Sequence, residues 1–157
     1  MAKSTVYIET SIVSYLTSRP SRDLLVAAHQ QLTMEWWDQH DAHYELFTSQ
    51  VVLEESRAGD PDAAQRRMAV LTPLPLLDVT DMAIQLATAL IDQHALPTQA
   101  MTDAFHIAIA CVHGMEYLLT WNCTHIANAH FRSRIEQICR EAGYVPPIIC
   151  TPEELEA

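Results

Sequence analysis

The chain has 157 residues, 49% of them hydrophobic and 18% charged, which suits one globular domain of about 100–200 residues. Nine Lys and Arg stand against twenty Asp and Glu, and the resulting charge of −11 excludes a nucleic-acid clamp that works by bulk positive charge. With only three glycines, a Gly-rich phosphate cradle and a dinucleotide fingerprint are excluded as well.

Thr5-Val6-Tyr7-Ile8 reads as the first strand. Leu24–Gln39 reads as a long helix with an apolar stripe through Leu25, Ala28, Leu32 and Trp36, and Ser21 is expected to cap it. Tyr44–Thr48 is the second strand, and Ser49–Ala58 a helix closed by Gly59. Pro61–Leu71 opens with proline in its first turn. Leu74–Val79, behind Pro73 and Pro75, has the character of an edge strand. Thr80 caps a helix reaching His94, and Met101–His113 forms a helix closed by Gly114. Tyr117–Trp121 is a continuous apolar run of the fully buried type. His130–Ala142 is a helix closed by Gly143, Val145–Cys150 a last edge strand interrupted by Pro146-Pro147, and the acidic tail Pro152–Ala157 a solvated end.

The order β-α-α-β-α-α-β-α-α-β-α-β predicts an α/β fold: a parallel sheet of four to five strands flanked by helices on both faces, one domain over residues 1–157. No linker or repeat interrupts it. Met1–Lys3 lead straight into the first strand without an apolar leader segment, and no stretch is long enough to span a membrane. Cys111, Cys123, Cys139 and Cys150 match no zinc spacing and read as free thiols, so a cytoplasmic location is expected.

Open parallel sheets bind ligands beyond the C-terminal ends of their strands. Glu9-Thr10-Ser11 follows the first strand, Glu54-Glu55 lies in the helix after the second, and Asn122 follows the fourth. The helix that contains Asp103 and His106 is apolar on nearly every face, hence central, and an ionised Asp there needs a partner or a metal. Each residue has a plainer reading: Glu9 as a strand-end residue, Glu54 and Glu55 as a solvated face, Asp103 in a first turn favoured by the helix dipole, Asn122 as a turn residue. Convergence supports the functional reading, since these ends meet at one crevice and the chain has a single lysine, Lys3. Clustered carboxylates without lysine suit Mg²⁺ or Mn²⁺ rather than zinc. His106, one turn from Asp103, reads either as a contact of the metal site or as a hydrogen-bonded core histidine, and His125 and His130 lie where they can line the mouth.

Val6-Tyr7-Ile8-Glu9-Thr10-Ser11 is similar to the opening motif of PIN domains. Ser49–Gly59 resembles their second motif, whose acidic residue four before a glycine corresponds to Glu55 rather than Glu54. Asp103-Ala104-Phe105-His106-Ile107-Ala108-Ile109-Ala110 closely resembles the third, and Leu118–Asn122 takes the place of the fourth. The resemblance implies a compact PIN-like α/β fold and a divalent-metal-dependent ribonuclease, similar to the toxins of VapBC toxin–antitoxin pairs. It implies Glu9, Glu55 and Asp103 as ligands of Mg²⁺ or Mn²⁺, with Asn122 completing the catalytic set. The metal would activate a water for in-line attack on RNA, and a cognate antitoxin and a homodimer are implied as partners, with no membrane association.

Two positions depart from the motif. Glu9 stands where Asp is usual, which lengthens the arm by one methylene, and Asn122 stands where an acidic residue is common, which removes one negative charge. The alternative is therefore a PIN-fold nucleic-acid-binding or protein-interaction module with weak or no nuclease activity; a small-molecule phosphoesterase would use the same carboxylates. Basic residues around the crevice would favour the enzyme, and an acidic surround would favour the module.

Overall fold

The computed structural model describes residues 2–156. Its five strands are β1 (Ser4–Ile8), β2 (Tyr44–Ser49), β3 (Leu76–Leu77), β4 (Tyr117–Leu119) and β5 (Ile148–Cys150). They form one sheet in the order β3-β2-β1-β4-β5, with every neighbouring pair parallel. Seven α-helices flank it: α1 (Thr10–Thr17), α2 (Leu24–Gln39), α3 (Gln50–Ser56), α4 (Pro61–Leu71), α5 (Asp81–Asp92), α6 (Met101–Val112) and α7 (Ala129–Glu141). Helix α1 packs on α2, α3 and α4, whereas α5 packs on α6 and α7. The right-handed rule for parallel crossovers accounts for this grouping, because the chain moves outward from β1 to β3 and then returns across the sheet to β4 and β5. The expected α/β architecture, with a parallel sheet and helices on both faces, is the one observed.

The two edge strands are short where proline removes backbone donors, with β3 starting after Pro75 and β5 after Pro146-Pro147. Helix α1, which the sequence pattern counted but did not place, forms despite its β-branched Thr, Ile and Val, and it buries Ile12 and Val13 completely. The core centres on Val6, Tyr7 and Ile8 of β1 and on α6, whose buried residues run from Ala104 through Cys111. Gly114 and Gly143 follow α6 and α7 at φ +70° and +94°, a conformation that other residues adopt with strain. Among the described residues no helix is long and apolar enough to cross a membrane.

Two local expectations are corrected. The N-cap of α2 is Asp23, whose carboxylate accepts from Val26 N–H at 3.0 Å, while Ser21 accepts from Asp23 N–H one step earlier. The acidic tail is not a solvated end: Pro152 and Leu155 are buried, and the Trp36 indole donates to the Leu155 carbonyl at 3.0 Å. Leucine and proline among the glutamates anchor what charge alone would leave free, up to Glu156; Ala157 lies outside the described residues.

The tail therefore contributes to stability. Leu155→Ala should lower the free energy of unfolding by about 2 kcal/mol or more, as for other buried leucines. Urea denaturation measures this; a change within about 0.5 kcal/mol, typical of surface positions, would contradict the packing.

Candidate metal centre

The strand order reverses its direction of growth between β1 and β4, and at such a point the loops leaving two neighbouring strands diverge and open a crevice. Glu9 stands there. Its N–H donates to the Leu119 carbonyl at 3.2 Å, continuing the β1–β4 pairing one residue past the strand, and the residue is only 4% exposed. The carboxylate is held by hydroxyls alone. Thr120 donates to Glu9 Oε1 at 2.5 Å, and Ser11 donates to the same oxygen. Backbone amides occupy the acceptor side of both hydroxyls: Trp121 N–H donates to Ser11 at 2.8 Å and Asn122 N–H to Thr120 at 2.9 Å. Each hydroxyl proton is thereby directed at Glu9.

Glu55, from α3, brings its Oε1 to Thr10 and His106, which donate to it at 2.6 Å each, His106 through Nε2. His106 is fully buried on α6, and its Nδ1 meets the Tyr7 hydroxyl at 2.8 Å; that hydroxyl meets Ser49 at 2.8 Å. Glu9, Glu55 and His106 each present a ligand atom within 4.8 Å of the others. Of the adjacent acidic pair, Glu55 faces this group, while Glu54 lines a separate depression with Val79 and Phe105.

Asp103 lies outside that grouping. Its Oδ1 accepts from the Asn122 amide at 3.0 Å, and its Oδ2 pairs with His125 Nδ1 at 2.8 Å. The Asn122 carbonyl in turn accepts from His125 N–H at 3.1 Å. The four residues singled out in the sequence thus divide into Glu9 and Glu55 on one side and Asp103 and Asn122 on the other. His125 joins the second pair, whereas the exposed His130 does not. Ser11 was named only as following Glu9, and Thr120, Tyr7 and Ser49 were given no role, since hydroxyl residues at strand ends look like ordinary turn residues.

Burial alone would raise the Glu55 pKa, but the His106 hydrogen bond and charge, with the Thr10 hydroxyl, hold it below its ordinary value. Burial alone would lower that of His106, and the Glu55 hydrogen bond with the fields of Glu9, Glu55 and Asp103 raises it instead. Burial pushes the Tyr7 phenol far above its usual range, so it remains protonated. The donor set fits a divalent cation: among the described residues no Lys or Arg pairs with Glu9 or Glu55, and no group donates to Glu9 Oε2.

The centre opens into a groove of about 650 Å³ that runs along α1 past Thr10, Ser14 and Ser18 to Arg19. The buried Gln30 side chain pins the far end, donating to the Arg19 carbonyl at 3.0 Å and accepting from Ser21 N–H at 2.9 Å. Arg66 donates to the nearby Thr17 carbonyl at 3.1 Å.

No family model matches the sequence, and no curated protein does either. Solved structures do match the fold. VapBC2 from Rickettsia felis, bound to a DNA fragment from its promoter, aligns with a TM-score of 0.60 and 17% identity over 94% of this chain and 98% of that chain. VapC20 of Mycobacterium tuberculosis, a sarcin-ricin loop cleaving toxin, aligns with a TM-score of 0.58 and 18% identity over 89% of this chain and 96% of that one. The five-stranded parallel sheet with its seven flanking helices is the PIN-like α/β fold of these VapC structures.

The His106–Glu55 pair gives stability a defined pH window. The raised His106 pKa means stability fully present below the unfolded value of 6.5 and lost as pH rises through the folded value. The lowered Glu55 pKa means stability present above 4.5 and lost as pH falls through the folded value. In chelator, the stability difference between wild type and His106→Gln should be largest between these limits and shrink on both sides. Urea midpoints across pH test this; a difference that grows above neutral pH would contradict the assignment.

Proposed function

We propose that the chain is a divalent-metal-dependent ribonuclease of toxin type that hydrolyses RNA phosphodiester bonds with Mg²⁺ or Mn²⁺. One observation carries the reading: a buried carboxylate with no Lys or Arg beside it, Glu9, opens with Glu55 onto a hydroxyl-lined groove that ends at Arg19. The fold shared with a sarcin-ricin loop cleaving toxin supports it.

In this reading Glu9, Glu55 and Asp103 supply the negative charge that holds the ion. A divalent cation, when bound, supplies Lewis-acid stabilisation of phosphate charge and acidifies a water. Ser11 and Thr120 hold Glu9 in one orientation, so its free oxygen is placed before any ligand arrives. Asn122 and His125 orient Asp103 through both of its oxygens. Arg19 binds a phosphate of the RNA along the groove, on a loop that Gln30 keeps in place. The hydroxyls of Thr10, Ser14 and Ser18 offer hydrogen bonds to sugar and phosphate without reading base identity. An antitoxin that covers the groove belongs to the same reading, supported by the fold shared with a VapBC complex, and a homodimer and a cytoplasmic location are proposed with it.

The alternative, a binding or interaction module of the same fold with weak or no nuclease activity, draws on the −11 charge and on Asn122. Arg19 on the groove wall favours the enzyme. Single-stranded RNA incubated with Mn²⁺ decides between them. Wild type should cleave, Glu55→Gln and Asp103→Asn should lose on the order of 100-fold or more, and Glu54→Gln should stay near wild type. Mn²⁺ should also raise the wild-type melting temperature. Absence of metal-dependent cleavage on varied RNAs, with the thermal shift intact, would leave the module as the better account.

A further inference from the structure

We propose that His106 is itself a ligand of the cation, through Nε2, so that the centre has two carboxylates and one imidazole and prefers Mn²⁺ to Mg²⁺. This rests on the metal-dependent reading and adds to it a ligand that the acidic motifs do not contain.

Position comes first. His106 Nε2 lies 2.6 Å from Glu55 Oε1, and both share the 4.8 Å grouping with Glu9. A cation placed among them replaces the hydrogen that bridges Nε2 and Oε1; that proton leaves to solvent, and both atoms become ligands. Glu9 supports the same location independently. It is only 4% exposed, both of its hydroxyl donors fall on Oε1, and Oε2 has no donor among the described residues. A buried carboxylate with one unpaired oxygen is costly unless a positive charge meets it.

Orientation follows from the residues behind the ring. A histidine ligand characteristically donates its other ring N–H to a fixed acceptor, which sets its tautomer. Here Nδ1 meets the Tyr7 hydroxyl at 2.8 Å, and that hydroxyl meets Ser49 at 2.8 Å. Tyr7, Ser49 and His106 are all fully buried. With Nδ1–H donating to the phenol oxygen and the phenol donating to Ser49, the Nε2 lone pair faces Glu55 and Glu9. Asp103 is less free to coordinate directly, since Asn122 and His125 occupy both of its oxygens.

The preference for Mn²⁺ is a consequence of donor chemistry. Mg²⁺ takes oxygen ligands almost exclusively and gives up water reluctantly, whereas Mn²⁺ accepts a mixed nitrogen and oxygen set.

Electron spin-echo spectroscopy of the Mn²⁺-loaded full chain tests the proposal, because it detects nitrogen bound directly to the ion. Wild type should show a coordinated ¹⁴N signal that changes when histidine is ¹⁵N-labelled. His106→Gln should lose the signal and bind Mn²⁺ about tenfold more weakly by calorimetry, with its preference over Mg²⁺ reduced. His125→Gln should keep the signal. Should His106→Gln fail to fold, labelled wild type and His125→Gln still decide: no nitrogen signal with Mn²⁺ bound, or a signal lost in His125→Gln, overturns the role of His106 while the metal site stands. Absence of Mn²⁺ binding altogether would overturn the metal-dependent reading and this proposal with it.

Discussion

The structure is organised around a carboxylate buried at the one place in the sheet where the strand order turns. Glu9 leaves the central strand between β2 and β4, where any residue is enclosed on both sides. Two hydroxyls bond it, and among the described residues no Lys or Arg pairs with it. The neighbouring loops have to supply those hydroxyls at fixed positions, and the register that pairs Ile8 with Leu119 puts Thr120 beside Glu9. Sheet topology, strand register and loop chemistry are therefore coupled at a single side chain.

Helix α6 organises the rest. It is buried nearly all round, yet Asp103 and His106, three residues apart, lie on one face of it. From this face His106 continues a hydrogen-bonded line through Tyr7 to Ser49 on one side and through Glu55 to Thr10 on the other. Asp103 anchors a separate group with Asn122 and His125. Both groups depend on a rigid central helix, since a shift of a few tenths of an ångström would loosen several short bonds together. A site fixed on a buried helix and a central strand is held more exactly than one assembled from loops.

The α/β architecture was legible because glycine, proline and apolar runs mark the ends of most elements, and Pro61–Leu71 agrees at both bounds. Helix α1 was not placed because Thr10-Ser11-Ile12-Val13-Ser14 carries no helical preference; burial of Ile12 and Val13 overrides local propensity there. The tail was misread because three glutamates outweigh one leucine in any local measure, although Leu155 has a socket against Trp36. At the site, Glu9 and Asp103 stood out because charge is conspicuous in apolar segments. Ser11 and Thr120 could not stand out, since their role exists only once β1 and β4 are paired. His106 was left between ligand and core histidine because a buried histidine looks the same either way until its two nitrogens are given partners.

Under the proposed ribonuclease reading, net charge is a poor guide to what the groove would admit. The −11 total argues against a polyanionic ligand when spread evenly, but the groove is lined by Glu9 and Glu55 at one end and Arg19 at the other. The acids at the inner end are the ones a divalent cation would neutralise, whereas Arg19 lines the outer end with Arg66 fixed close by on Thr17. On that reading a loaded groove would present a metal at one end and guanidinium at the other, along which an extended phosphate chain would align. Salt screens fields beyond about 10 Å at ordinary ionic strength, so the charges lining the groove, rather than any acids farther away than that, would set the potential that a strand there experiences. The same argument gives Gln30 its importance: it holds the backbone that carries Arg19 at the outer end of the groove without contributing any charge.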